Sequence, residues 1–229
     1  MTMKQIVLFM ELFLMGWLVV PCSRATNQEE MSQRLVEATE ILEKKQSSSK
    51  PIPQKVIDQA KGVVVIEITK GGLGVSGSHG EGILIARTKK GWSAPVAFTQ
   101  GGGSVGFQIG LEIKQYIYIL NTEGALKAFI EEDNFVFDAK AHATAGPEHA
   151  SEEVSGLPTH SMYIYTASEG AYAGAAIGGQ VVSIDRDVNE ETYGEAVTNT
   201  EMLSGRVSPP EKASKFYETL KETTKKKNL

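Results

Sequence analysis

The sequence predicts an α+β protein: a glycine-rich, mainly antiparallel sheet or partial barrel flanked by N-terminal and C-terminal helices. Amphipathic, helix-like patterns lie near both ends of the chain, and short strand-like apolar runs fill two regions between them. The connections in the first strand region are short and rich in glycine, as in hairpins and meanders. No helix-length polar segment separates these strands, although a parallel βαβ unit would need one. Separate runs of helices and strands are typical of the α+β class.

The composition supports one sizeable domain with short appendages and excludes some kinds of function. Hydrophobic residues make up 41% and charged residues 22% of the 229 residues, which is sufficient for a core. The net charge of −5 gives the chain no overall basic field for nucleic acid. Because Cys22 is the single cysteine, neither an intramolecular disulfide nor a cysteine metal cluster can form.

The first 25 residues predict an export signal. Lys4 precedes an apolar run over 6–20, which is near the upper length of a signal-peptide core and short for a membrane span of ~20 residues. Two processing sites are open: a lipoprotein-like box ending at Cys22, which would become lipidated, and a small-x-small site ending at Ala25. We therefore expect a signal peptide over 1–25 or a lipoprotein signal over 1–21. An uncleaved N-terminal anchor is the third alternative.

The mature chain begins with two predicted helices. Residues 27–46 carry an apolar face with the i, i+4, i+7, i+11 spacing of a helix. Its members are Met31, Leu35, Ala38 and Leu42, and Val36 and Ile41 widen the face. After a polar break, Pro53 suits the first turn of a second helix over 54–60. We assign 26–50 to an amphipathic helix with a short linker.

Two strand regions and four further helices follow. The first region contains predicted strands at 63–68, 82–87, 96–98, 105–109 and 116–120. A helix over 122–132, a strand over 135–143 and a loop over 144–160 come next. The second region contains strands at 161–167, 171–177 and 180–185, and the helices after it cover 188–193, 199–204 and 209–224.

A Gly-x-Gly-x-x-Gly pattern at Gly72, Gly74 and Gly77 follows the first strand and raises the question of a dinucleotide-binding loop. Such a loop should open a helix, but the next apolar run reads as a strand. The same pattern recurs at Gly101, Gly103 and Gly106, again between strands. We therefore interpret these glycines as sites of turns, bulges and close strand approach in a strongly bent sheet.

The sequence carries no recognisable catalytic or metal-binding motif, and we expect neither an enzyme nor a cofactor. Ser93 lacks the Gly-x-Ser-x-Gly context of a hydrolase nucleophile. A zinc site from His142, His149 and Glu152 is conceivable, but solvated loop histidines explain them better. We therefore predict that the protein binds no metal ion, nucleotide or nucleic acid.

Positive charge near the first strand region is the strongest indication of a binding site. The candidate lipid-binding residues are Lys61, Lys70, Arg87, Lys89, Lys90 and Trp92. The stretch 89–92 predicts a tight turn whose cations could hold an anionic headgroup while the tryptophan lies at the membrane interface. The alternative is a solvated hairpin tip with the tryptophan in the core.

Several short motifs follow one another between roughly residues 50 and 222. They are Ala60-Lys-Gly62, the Gly71–Gly82 stretch leading to Ile83–Arg87, Gly91–Pro95, Gly106-x-Gln108-x-Gly110, Ala145–Pro147, Tyr163-x-Tyr165-x-x-Ser168-x-Gly170, Ala173-Gly174 and Tyr193-Gly194. In order and spacing they resemble the SYLF domain. We assign 51–224 to a SYLF-like domain and 225–229 to a basic tail.

The resemblance implies lipid binding: eukaryotic SYLF domains bind phosphoinositides, and some fungal members also bind and bundle actin. Eukaryotic members use an N-terminal amphipathic helix at membranes, and the predicted helix over 27–46 occupies a comparable place. We therefore expect a non-catalytic phospholipid-binding protein of the bacterial cell envelope, exported to the periplasm or anchored as a lipoprotein. The expected partner is a phospholipid or membrane surface. The alternative is a structural or protein-interaction module, with a protein partner or self-association.

Overall fold

The computed structural model of the protein describes residues 27–131, 135–137, 143–145, 161–167 and 180–221, and it confirms the α+β class. In this part of the chain, six helices flank one seven-stranded sheet. The elements are α1 (Asn27–Gln46), α2 (Gln54–Gln59), β1 (Gly62–Thr88), β2 (Gly91–Trp92), β3 (Val96–Leu120), α3 (Glu123–Glu131), β4 (Phe135–Phe137), β5 (Ala143–Ala145), β6 (Met162–Thr166), β7 (Gln180–Ile184), α4 (Arg186–Tyr193), α5 (Asn199–Leu203) and α6 (Ala213–Lys221).

The helices lie close to their predicted positions, whereas the strands of the first region do not. The predicted helix over 27–46 has the observed bounds, and α2 begins directly after Pro53. The five short strands predicted between 63 and 120 are wrong as separate elements, because they merge into β1 and β3. The predicted strand over 171–177 and most of the loop over 144–160 lie outside the described residues.

The sheet is built on the antiparallel pairing of β1 with β3. Their register runs from Gly62 opposite Leu120 to Leu84 opposite Val96, with one irregularity between residues 73 and 75. The strand order is β2-β1-β3-β6-β5, and β7 pairs with both β3 and β4. All of these pairs are antiparallel except β5 with β6, so the sheet is mainly antiparallel, as predicted.

The two halves of β1 lie side by side and run in opposite directions. The backbone N–H of Arg87 donates to the carbonyl oxygen of Lys61 at 2.7 Å. A Cβ atom on Gly82 would lie only 2.5 Å from the carbonyl oxygen of Val65. Because β3 pairs with both halves of β1, the two strands form nested hairpins with β1 inside.

Gly80 and Gly82, just beyond the Gly-x-Gly-x-x-Gly pattern, permit this close approach. The glycines at 72, 74 and 77 lie inside β1, and the chain continues from them as strand to Thr88. A Cβ atom on Gly80 would lie 2.9 Å from the carbonyl oxygen of Glu67, which is closer than real Cβ contacts. The structure therefore shows the predicted close strand approach at Gly80 and Gly82 and a register irregularity beside Gly74. The chain continues there as a strand and not as the helix that a dinucleotide loop would open.

Alternate residues of β1 point into two separate hydrophobic cores. Val63 and Val65 face the first core, while Val64 and Ile66 face the second. The first core includes Leu35 of α1, Ile57 of α2, Val188 of α4 and Phe216 of α6. The second includes Leu126 and Phe129 of α3 and Met202 of α5. Because both faces are covered, the strand sequence is continuously apolar instead of alternating.

The N-terminal helix α1 is part of the domain core. Its predicted apolar face is buried against the sheet, except that Val36 is exposed. The buried members are Met31, Leu35, Ala38, Ile41 and Leu42. This face is therefore unavailable to a membrane in the described conformation.

A buried arginine connects α1 to the sheet and to α4. One terminal nitrogen of Arg34 lies 2.6 Å from a carboxylate oxygen of Glu30 and 2.6 Å from one of Asp185. The other donates to the carbonyl oxygen of Phe98 at 3.3 Å, and Nε lies 3.9 Å from Glu81. The side chain retains only 3% of its exposure. Charge-assisted hydrogen bonds of this kind fix the position of three elements at once.

Glu37 on α1 has a raised pKa, because its partial burial disfavours the charged form. The neighbouring carboxylates of Glu67 and Glu81 raise this pKa further, while Arg34 lowers it. Folding therefore favours the protonated acid, and the free energy of unfolding falls as pH rises through the folded-state pKa. Glu37→Gln should raise this free energy at about pH 7 by less than ~1 kcal/mol, because the site is partly solvated. Its benefit should disappear toward about pH 4, where the acid is protonated in both states.

Urea denaturation at these two pH values measures the Glu37 effect. Glu218→Gln on α6 is the control, because Glu218 is exposed and is not among the carboxylates that raise the pKa of Glu37. An equal benefit from Glu37→Gln at both pH values would contradict the assigned cause.

Candidate functional site

The predicted tight turn is present between β1 and β2. Thr88 pairs with Gly91 across a two-residue turn that exposes Lys89 and Lys90. The Thr88 hydroxyl donates to the Gly91 carbonyl oxygen at 3.1 Å and accepts from the Lys90 N–H at 3.2 Å. Gly91 has a φ of 126°, a backbone conformation that residues other than glycine rarely adopt. Local hydrogen bonding thus holds both lysines at the end of the hairpin.

Arg87 lies behind this turn and is fixed on three sides. Its guanidinium donates to the carbonyl oxygen of Ile57 at 2.6 Å and to that of Ala60 at 3.4 Å, and so binds the C-terminal end of α2. The same group lies 3.7 Å from the centre of the Trp92 ring, a cation–π contact. Burial lowers the pKa of Arg87, with Asp58 acting in the opposite direction. Arginine nevertheless stays charged.

A pocket of about 190 Å³ opens beside this stack, and we call it the Trp92 pocket. Its walls come from α2, the end of β1, β2 and the C-terminal half of α6. The lining residues are Gln54, Ile57, Asp58, Arg87, Lys90, Gly91, Trp92, Tyr217, Leu220 and Lys221. Tyr217 joins α6 to the chain after β2, because its hydroxyl donates to the Ser93 carbonyl oxygen at 2.6 Å.

The charges lining the Trp92 pocket are predominantly positive. Arg87, Lys90 and Lys221 contribute three cations, and Asp58 contributes one carboxylate. That carboxylate accepts a hydrogen bond from the side-chain amide of Gln54 at 2.8 Å. The two described bonds of Arg87 also leave part of its five-donor guanidinium for another acceptor. The arrangement is chemically suited to a small anion, such as a phosphate group.

The six predicted lipid-binding residues do not form a single patch. Arg87, Lys90 and Trp92 line the pocket, and Lys89 lies on the adjoining turn. Lys61 lies beside Arg87 in the sheet, but its ammonium group is 3.6 Å from a carboxylate oxygen of Glu123 on α3.

Lys70 lies far from the other candidate residues. It is nine residues beyond Lys61 on β1, which places it about 30 Å away at roughly 3.3 Å per residue. The pocket also contains polar residues that the sequence analysis did not select: Gln54, Asp58, Tyr217 and Lys221. They come from helices distant in sequence, and no local pattern signals their approach.

Trp92 was predicted to lie either at a membrane interface or in the core, and it is in contact with both the pocket and the core. Its ring is partly buried and packs against the first core, while Arg87 covers it from the pocket side. The lipidation candidate Cys22 and the histidines at 142, 149 and 160 lie outside the described residues. Ser93 is buried and bonded through its hydroxyl to the Ala86 N–H and the Ala94 carbonyl oxygen, which gives it a structural role.

In the described part of the chain, no group of three or more histidine, cysteine, aspartate and glutamate side chains is arranged to hold a metal ion. No helix there is long and apolar enough to cross a membrane.

Comparison with known proteins identifies relatives over most of the chain. A family model described as "Ysc84: Las17-binding protein actin regulator" matches residues 101–223. LAS seventeen-binding protein 3 of Saccharomyces cerevisiae is 33% identical over 174 residues, which cover 74% of this chain and 38% of that protein. SH3 domain-containing YSC84-like protein 1 of Rattus norvegicus is 30% identical over 210 residues, which cover 90% of this chain and 62% of that protein.

The match covers a domain-sized part of these relatives. The chain spans less than two thirds of the length of either relative. The yeast relative is named as a binding protein and the rat relative for its SH3 domain, and neither name describes an enzyme. Because the family model matches more than half of the chain, the protein belongs to the Ysc84 family and contains its SYLF domain.

Proposed function

We propose that the protein is a non-catalytic module that binds anionic phospholipid, with the headgroup phosphate in the Trp92 pocket. The observation that carries this proposal is the convergence of Arg87, Lys90 and Lys221 on one small pocket beside an aromatic ring. Asp58 is the single carboxylate among the lining residues and bonds to Gln54. An anion entering the pocket therefore meets a net positive environment with donors in place.

The chemistry of the lining residues favours a membrane surface as the source of that anion. Lysine side chains at 89 and 90 are exposed on a turn, so their stems can lie along the interface while the ammonium groups meet phosphates. Each basic residue near an anionic leaflet contributes about 1 kcal/mol, and salt screens the interaction. Tryptophan is suited to the headgroup region because its ring is amphipathic.

Charge reversal of the turn tests this proposal. Lys89→Glu combined with Lys90→Glu should weaken binding to phosphatidylglycerol vesicles at least about tenfold, which is the effect of roughly 1.4 kcal/mol. The control is Lys127→Glu combined with Lys212→Glu, which makes the same change in net charge at exposed positions outside the pocket. Co-sedimentation measures the binding, and circular dichroism confirms that all variants fold.

Two outcomes would contradict the proposed site. Unchanged affinity after the turn reversal would remove the turn from the binding surface. An equal loss in the control would mean that overall charge governs binding and that the pocket plays no specific part.

A protein partner is the second candidate function. The names of the family model and of the yeast relative refer to binding of Las17, a protein. Isolation of the chain without lipid distinguishes the two functions, because a stable stoichiometric protein partner or defined oligomer would favour this candidate.

For the cellular location, we propose that the protein is exported to the bacterial envelope and works at its membrane. The supporting features are the apolar run over 6–20 and the processing sites ending at Cys22 and Ala25. Intact-mass analysis of the protein isolated from its own host would distinguish lipidation at Cys22 from cleavage after Ala25. An unprocessed N-terminus would contradict export by either signal.

A further inference from the structure

Two large aliphatic side chains on β3 face solvent at the end of the sheet remote from the Trp92 pocket. Leu111 is 72% exposed and Ile113 is 54% exposed. The other strongly exposed large hydrophobic side chains in the described part of the chain, Val36 and Val181, reach 42% and 37%. Exposure of two such neighbours on one strand face requires an explanation, whereas single exposed apolar residues do not.

The position of α1 explains why this part of the strand is uncovered. Ile117 and Ile119 share a strand face with Leu111 and Ile113, and they are buried in the first core. Near its C-terminal end, α1 reaches Gln115, whose side-chain oxygen accepts from the ammonium group of Lys44 at 3.3 Å. The two exposed side chains lie beyond that point.

The reverse face of the same strand segment carries cations. Lys70 lies opposite Glu112 in the register, and Lys114 follows two residues later on β3. The carboxylate of Glu112 lies 3.0 Å from the ammonium group of Lys114, so these three residues carry a net charge of +1. The apolar tip, defined as Leu111 and Ile113 with Lys70 and Lys114 behind them, is therefore amphipathic.

The size of the apolar tip favours a bilayer over a protein as its occupant. Complete burial of one leucine or isoleucine side chain removes about 60–120 Å² of apolar area at 25 cal/mol per Å². A stable protein interface buries about 800 Å² per partner, several times more than the two side chains offer. Shallow insertion at a bilayer interface requires no such area, and lysine stems allow their ammonium groups to reach phosphates.

We propose that the apolar tip is a second bilayer contact, at which Leu111 and Ile113 enter the interfacial region of the membrane. This inference rests on the proposed function in assigning the protein to a membrane surface. The tip contact differs from the pocket contact in its physical basis. The tip binds through burial of apolar side chains, whereas the Trp92 pocket binds through charge. The two contacts lie at opposite ends of the hairpin that the two halves of β1 form, about 30 Å apart at roughly 3.3 Å per residue.

Binding to uncharged vesicles at high salt isolates the contribution of the tip. In about 0.5 M NaCl the interactions of exposed charges are largely screened. We expect the full chain to co-sediment with phosphatidylcholine vesicles under these conditions. Leu111→Ser combined with Ile113→Ser should weaken that binding at least about tenfold, since it removes both apolar groups. Val36→Ser combined with Val181→Ser is the control, because it removes two exposed aliphatic side chains elsewhere.

The outcomes separate failure of the tip from failure of the pocket. Absence of wild-type binding to phosphatidylcholine vesicles would overturn the tip proposal, even if salt-sensitive binding to phosphatidylglycerol vesicles remains. Equal weakening by the tip and control variants would also overturn it. If the turn reversal at Lys89 and Lys90 leaves both kinds of binding unchanged while the tip variant loses the salt-resistant kind, the proposed pocket fails and the tip stands.

Discussion

Replacing Arg34 with methionine is expected to lower the free energy of unfolding by about 3 kcal/mol. Removing one partner of a buried ion pair costs roughly 3–5 kcal/mol, because the remaining charge stays buried without compensation. The lower end applies here, since the carboxylate of Glu30 retains 30% of its exposure and can be hydrated in the variant. The carboxylate of Asp185 is less exposed, and the same side chain accepts a hydrogen bond from the Val188 N–H in the first turn of α4.

Urea denaturation of Arg34→Met beside Lys127→Met measures this effect. Lys127 is an exposed residue of α3, and its replacement should change the free energy of unfolding by no more than ~0.5 kcal/mol. Methionine retains the length of the arginine stem, so the experiment removes mainly the charge and its hydrogen bonds. A loss no larger than that of the control would show that the buried cluster does not hold α1 on the sheet.

Gly82→Ala should be the most disruptive single-methyl change in the first strand region. The added Cβ would lie 2.5 Å from the Val65 carbonyl oxygen and 2.8 Å from the Phe98 ring, and neither the backbone nor a buried ring can easily move away. Overpacking a dense site costs about 1–3 kcal/mol and occasionally more. We expect a cost of at least ~3 kcal/mol, because the clash separates the two halves of β1.

Gly77→Ala is the matched control on the same strand. A Cβ atom at Gly77 would meet nothing within 4 Å, so this change should be neutral or stabilise by about 0.4–1 kcal/mol through the unfolded chain. Thermal unfolding of the two variants provides the comparison. Similar effects at both positions would contradict the close approach of the two halves of β1.

The sequence predicted the helices well because their signals are local. The apolar face of α1 repeats with helical spacing, and the proline before α2 marks its start. The bounds of β1 and β3 could not be predicted in the same way. Glycine normally indicates a break between strands, but here the strands continue through their glycines. At Gly80 and Gly82 a neighbouring backbone occupies the space of the missing side chain, a tertiary contact with no local signal.

The candidate site was only partly predictable for a related reason. Arg87, Lys90 and Trp92 are close in sequence, and the hairpin turn keeps them together. Lys221 reaches the same pocket through the packing of α6, a tertiary contact with no local signal. Lys70 was grouped with Lys61 by closeness in sequence, but nine residues of extended strand separate the two, and no turn brings them together.

Quenching of Trp92 fluorescence tests the proposed pocket most directly. The chain contains two tryptophans, so Trp17→Phe leaves Trp92 as the single reporter in the full chain. Vesicles of phosphatidylcholine and phosphatidylglycerol that carry a nitroxide-labelled headgroup should quench this fluorescence on binding. Adding Lys89→Glu and Lys90→Glu should shift the quenching to an at least about tenfold higher lipid concentration. Vesicle binding that leaves Trp92 unquenched would contradict the placement of the headgroup in this pocket.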